Sequence, residues 1–200
     1  TPSIHLDGEL WLTRNWFMGL GIKQYVAQIP NSYPGSSPGK INISTMQTTL
    51  QAGYSFLMAD QFYGPKIQIL GGYSKITATV DDSSPTAYTS MNFGGMAFGL
   101  AGSFPVSEET PLTLGAKLMY YLTTSVDESP VSSGTSSSAK ISSFSGFGTY
   151  KYSEHINLRG ELMYDLFSAS FSGNGTRGAD SATSASHTLT TIAGGIEYLF

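Results

Sequence analysis

Apolar residues recur at every second position through most of this chain, the period of a strand rather than a helix. In IHLDGELWLT, Ile4, Leu6, Gly8, Leu10 and Leu12 share one face, and His5, Asp7, Glu9, Trp11 and Thr13 share the other. After the short link TRN, WFMGLGIKQYV sets Trp16, Met18, Leu20 and Ile22 against Phe17, Gly19, Gly21, Lys23 and Tyr25. A third strand carries Met46, Thr48, Leu50, Ala52, Tyr54 and Phe56 opposite Gln47, Thr49, Gln51, Gly53 and Ser55. A fourth sets Ile67, Ile69, Gly71 and Tyr73 against Lys66, Gln68, Leu70, Gly72 and Ser74.

The fifth, about residues 88–104, is rich in Gly, Met and Phe, and its faces do not separate; a bulge would explain a shifted phase. The sixth is the clearest, with Leu112, Leu114, Ala116, Leu118, Tyr120, Leu122 and Val126 on one side. A weakly patterned seventh runs about 139–152. The eighth sets Ile156, Leu158, Gly160, Leu162, Tyr164 and Leu166 against Asn157, Arg159, Glu161, Met163, Asp165 and Phe167. The ninth ends in GGIEYLF, with Ile192, Ile196, Tyr198 and Phe200 alternating. Most of these strands exceed the usual length of about five or six residues. Compact links alternate with Ser-, Gly-, Pro- or Asp-rich stretches near 30–40, 81–87, 127–138 and 172–186.

Composition changes the reading of the two faces. Only 12% of the residues are charged, about half the share of ordinary soluble domains, and 12% are aromatic. The net charge of −4 offers no basic surface for nucleic acid. No cysteine is present, so disulfide and thiolate chemistry are excluded. No apolar run is long enough for a transmembrane helix.

The faces opposite the Leu rows are poor in charge for a solvated surface, and Tyr and Phe gather near strand ends. The pattern therefore predicts an all-β, antiparallel, up-and-down transmembrane β-barrel, a single domain over residues 1–200 with Leu rows facing lipid. Its narrow interior is expected to hold a polar network of Asp7, Glu9, Lys23, Lys66, Lys117, Arg159, Glu161, Asp165 and Glu197, paired because isolated buried charge is costly. Nine strands are read. Ten are expected if an upstream strand is missing, and eight if strand five or seven is miscounted.

With Ile196, Tyr198 and Phe200 at alternate places before the terminus, the chain resembles small bacterial outer-membrane β-barrels. The resemblance is one of class and covers nearly the whole strand pattern. It implies a place in the outer membrane of a Gram-negative envelope, with lipid and lipopolysaccharide as surroundings. It also implies that the terminal Ile196, Tyr198 and Phe200 are recognised by the barrel-assembly machinery, and it leaves room for an envelope protein partner. The expected function is a non-enzymatic scaffold or surface-interaction protein; the alternative is a narrow porin-like channel for ions or small solutes.

An enzyme would need a constellation at a rim, as a protease or a lipid-modifying enzyme. The pieces available are Asp81, Asp82, Asp127, Glu128, Asp180 and His187, with Ser186 beside His187 and His5 near Asp7. Acids in turns more commonly bend and cap the chain. His5, His155 and His187 lie on separate segments without metal-ligand spacing. The Gly pairs do not follow the strand–loop–helix order of a phosphate site. No cofactor, metal or catalytic residue is assigned.

Overall fold

The computed structural model describes residues 3–31, 39–59, 64–81, 88–107, 110–177 and 184–199. Its nine strands are β1 (Ser3–Trp11), β2 (Trp16–Pro30), β3 (Lys40–Leu57), β4 (Lys66–Asp81), β5 (Ser90–Pro105), β6 (Leu112–Ser129), β7 (Ser136–Lys151), β8 (Ile156–Ser172) and β9 (Ser184–Tyr198). They form one antiparallel sheet in sequence order. β3 and β4 run beyond the stretches where alternation was clear, because backbone pairing continues through polar Asn42–Ser44 and Ala78–Asp81.

At one end of the sheet short side chains make the turns. Thr13 Oγ1 accepts from the N–H groups of Asn15 (3.2 Å) and Trp16 (3.0 Å). Ser107 Oγ accepts from Thr110 N–H at 3.0 Å, and Ser153 Oγ from Ile156 N–H at 3.1 Å. Each hydroxyl takes up backbone donors that a tight reversal would leave unpaired.

The sheet curves, bringing strands that are not neighbours together across its concave side. Lys23 of β2 reaches Asp165 of β8, Gln47 of β3 reaches Tyr121 of β6, and the rings of Phe93 and Phe167 lie 6.4 Å apart. Phe17, Leu70, Ile76, Phe93, Met119, Ile141 and Phe167 belong to the buried cluster on that side. The Leu rows are the exposed ones: Leu118 is 53% exposed, while the next residue, Met119, is 3% exposed. Gly53 is fixed by packing, since a Cβ there would overlap the ring of buried Phe17.

Two face assignments need correction. The register of β5 with β6 shifts at Gly94/Gly95, where Thr124 of β6 has no opposite number. The extra residue inverts the phase beyond it. Val126 is therefore buried at 6% exposure, whereas Leu122, expected on the same face, is 52% exposed. In β5 itself both faces are apolar. Phe93, Ala97 and Ala101 point inward, and Met96, Phe98 and Leu100 point outward, so polarity could not separate them.

The larger correction concerns closure. The expected eight- to ten-stranded barrel, and the resemblance to outer-membrane barrels built on it, requires every edge to be paired. Among the described residues β1 pairs only with β2, and β9 only with β8. The two edges approach, with Cα atoms within 8 Å at a few places, and no ladder joins them. Alternation specifies faces; it does not specify whether the first and last strands meet. The described sheet is open. The outer-membrane location, the lipid, lipopolysaccharide, assembly-machinery and envelope partners, and the scaffold and porin-like channel readings all rested on a closed wall. They are withdrawn with it. No helix among the described residues is long and apolar enough to cross a membrane.

Candidate functional site

The inward positions of β1, β2, β3, β6, β7 and β8 place a polar belt across the concave side, around a cavity of about 80 Å³. That is room for a handful of waters. Its lining includes His5, Asp7, Lys23, Gln47, Gln51, Lys117, Tyr121, Ser143, Glu161 and Asp165.

At the heart of the belt is the ion pair between Lys23 Nζ and Asp165 Oδ2, its side chains 8% and 4% exposed. Ser143 Oγ donates to the other oxygen of Asp165. Beside it Gln47 Nε2 donates to Ser74 Oγ and to Tyr121 Oη, both at 3.2 Å. Burial pushes the Tyr121 phenol up to about 12; the Gln47 bond opposes the shift and the Asp165 charge adds to it.

Toward the turn end Arg159 organises a second group. Its guanidinium binds Glu161 at 3.2 Å and Glu197 at 3.1 Å, and lies 3.9 Å from the centre of the Phe147 ring. Asn157 Nδ2 donates to the second Glu197 oxygen at 3.2 Å. Lys117 Nζ, between the groups, donates to Gln51 Oε1 at 3.2 Å. Burial lowers its pKa, and the fields of Asp7, Glu9 and Glu161 oppose that. Lys66 sits over the Trp11 ring, 5.4 Å from its centre.

The two β1 acids differ from these. Asp7 pairs with His5 Nε2 at 2.9 Å, its side chain still 59% exposed. Burial in the trough raises its pKa, but the His5 bond and the charges of His5, Lys117 and Arg159 outweigh that and hold it below the usual carboxylate range. Glu9 is exposed at the edge of the sheet. Among the described residues it makes no hydrogen bond or ion pair. Desolvation raises its pKa, against the pull of Lys66, Lys117 and Arg159.

The nine residues of the expected interior network thus divide into partnered groups on β2, β6, β8 and β9 and an open pair on β1, with Lys66 of β4 beside Trp11. The sequence reading omitted Gln47, Gln51, Tyr121, Ser143 and Asn157 from the network. The alternating Gln47, Thr49 and Gln51 of β3 were the signal that could have found the first two.

Ile196 and Tyr198 lie on the outer face of β9, and Tyr198 stacks on His155, which binds Leu199 O through Nδ1 at 3.1 Å. Phe200 lies outside the described residues, as do Asp82, Asp180 and the side chains of Asp81 and His187. Of the rim acids, Glu128 accepts from Thr89 Oγ1 (3.0 Å), Ser133 Oγ (2.9 Å) and Ser133 N–H, which ties the loop after β6 down. No group of three metal-binding side chains occurs among the described residues.

The fold and site define an open antiparallel sheet with a polar concave belt. No family model, curated protein or solved structure matches the chain.

Proposed function

We propose that this chain is a non-enzymatic binding protein that accepts an extended protein segment as an added strand on the free edge of β1. The observation that carries this reading is the ladder itself: all nine residues of β1 pair with β2, and none of the described residues pairs with its other side. An unpaired edge presents a row of backbone donors and acceptors that an extended segment satisfies directly. The concave belt supports this role by fixing the sheet's curvature, since its principal ions are already compensated by one another. One of the candidate rim acids, Glu128, is engaged in holding a loop.

Topology sets the direction. β1 and β9 are both odd members of an antiparallel series and therefore run parallel. A segment entering the seam antiparallel to β1 is antiparallel to β9 as well. Because the edges approach within 8 Å at a few places, and neighbouring strands need about 4.8 Å each, entry has to part them slightly there.

The test is amide hydrogen exchange on the full chain with and without a neutral peptide of alternating Leu and Thr. Slowed exchange along Ser3–Trp11, absent with the same peptide N-methylated along its pairing edge, is the expected result. Equal exchange in all three samples overturns the reading.

A further inference from the structure

The chemistry around the seam narrows what the added segment is. Along β1, side chains alternate between apolar Ile4, Leu6 and Leu10 on the convex side and His5, Asp7 and Glu9 on the concave side. Opposite Asp7 and Glu9 on β2 stand Gly21 and Gly19, so no β2 side chain covers either carboxylate. Across the seam, on the concave side of β9, Glu197 already has both oxygens engaged by Arg159 and Asn157. Glu9 is exposed and has no bonded partner among the described residues; the charges of Lys66, Lys117 and Arg159 act on it without an ion pair. A carboxylate so placed at an unpaired edge is open to a charge-assisted hydrogen bond from a cation brought to it.

Resting on the strand-accepting reading above, we infer that the segment recognised at β1 is amphipathic and basic, with Lys or Arg on its concave side facing Glu9 and apolar residues on its convex side. A second copy of this chain fits poorly. Two β1 edges meeting antiparallel about Gly8 would set Asp7 of each copy against Glu9 of the other, and like charges across strands repel. An acidic segment fails for the same reason. A basic one meets Glu9 directly, while Asp7 stays with His5. Its apolar side extends the rows begun by Leu6 and Leu10.

Three synthetic peptides test this against the full chain: alternating Leu and Lys, alternating Leu and Glu, and the Leu–Lys peptide N-methylated along its pairing edge. Affinity and exchange along Ser3–Trp11 are both read. The Leu–Lys peptide is expected to bind roughly fivefold or more tightly than Leu–Glu, the scale of one ion pair. It should protect β1, and Glu9→Gln should remove most of the preference while leaving protection in place. Equal affinity of the Lys and Glu peptides, or a preference unchanged in E9Q, overturns the basic partner while protection of β1 keeps the strand-accepting reading. Binding of the N-methylated peptide as tight as the parent, with no protection of β1, shows adhesion to the apolar outer face. It overturns both.

Discussion

Lys23 and Glu9 both point to the concave side from adjacent strands, and the fold treats them in opposite ways. Lys23 is buried, bonded to Asp165 across the trough, with Ser143 completing that carboxylate. Glu9 sits at the unpaired edge with no bonded partner among the described residues. The difference is one of position in the ladder. β2 has strands on both sides, so the curvature of the sheet delivers β8 to it. β1 has a neighbour on one side only, and its acids face a seam. Ionic groups of the same origin in the sequence thus become structure in one place and unsatisfied recognition capacity in the other.

The comparison breaks most sharply at Lys23. Lys23→Ala leaves Asp165 buried without its cation and is expected to cost about 3–5 kcal/mol, read by denaturant unfolding. The pair replacement Lys23→Met with Asp165→Leu should recover most of that loss, because neither charge is then stranded. A small effect of the single change would mean that water already reaches Asp165.

Next in size is the contrast between adjoining residues of β6. Met119→Ala removes a buried side chain and should cost about 2–5 kcal/mol. Leu118→Ser, on the exposed face, should stay within about 0.5 kcal/mol. Similar losses at both sites would show that the outer face is covered in the form being measured.

Tyr121→Phe removes one partly buried hydrogen bond to Gln47 and should cost about 0.5–1.5 kcal/mol. An ultraviolet titration of the intact chain should show one tyrosine ionising near the raised value of about 12. If the phenol lost from that titration in Tyr121→Phe is one of ordinary value, Tyr121 is in water.

The smallest effects come from the β1 acids, and their signs differ. Asp7 has a depressed pKa, so its contribution is present above the unfolded value and is lost as pH falls through the folded one. Glu9 has a raised pKa, so its ionised form disfavours the fold at neutral pH. That penalty fades as pH falls through the raised value. Glu9→Gln is therefore expected to be neutral or slightly stabilising at neutral pH, with the difference from the parent disappearing in acid. Asp7→Asn is expected to be slightly destabilising at neutral pH, with the difference disappearing only at lower pH. Destabilisation by E9Q at neutral pH would show that Glu9 has a partner in solution.

The alternation of Leu112 to Leu122 in β6, and of Ile156 to Leu166 in β8, made those strands and their large-apolar faces legible without coordinates. The side-chain period of a strand is a local property. β5 was illegible because both of its faces are apolar. Val126 was misplaced because an unpaired Thr124 leaves no mark in hydrophobicity. Charged members of the belt could be named from their strand faces, but not their partners. Lys23 meets Asp165 only through the curvature of the sheet, with five strands between β2 and β8.

The strands, their alternation and the sparse set of ions on one face were legible without coordinates, because each follows from residues a few places apart. Whether β1 and β9 pair depends on twist and register accumulated over every intervening strand, and one extra residue in β6 alters that register. The separation of the edges, the neutralisation of Lys23 from across the trough and the place of Glu9 at the seam are therefore products of the folded sheet as a whole.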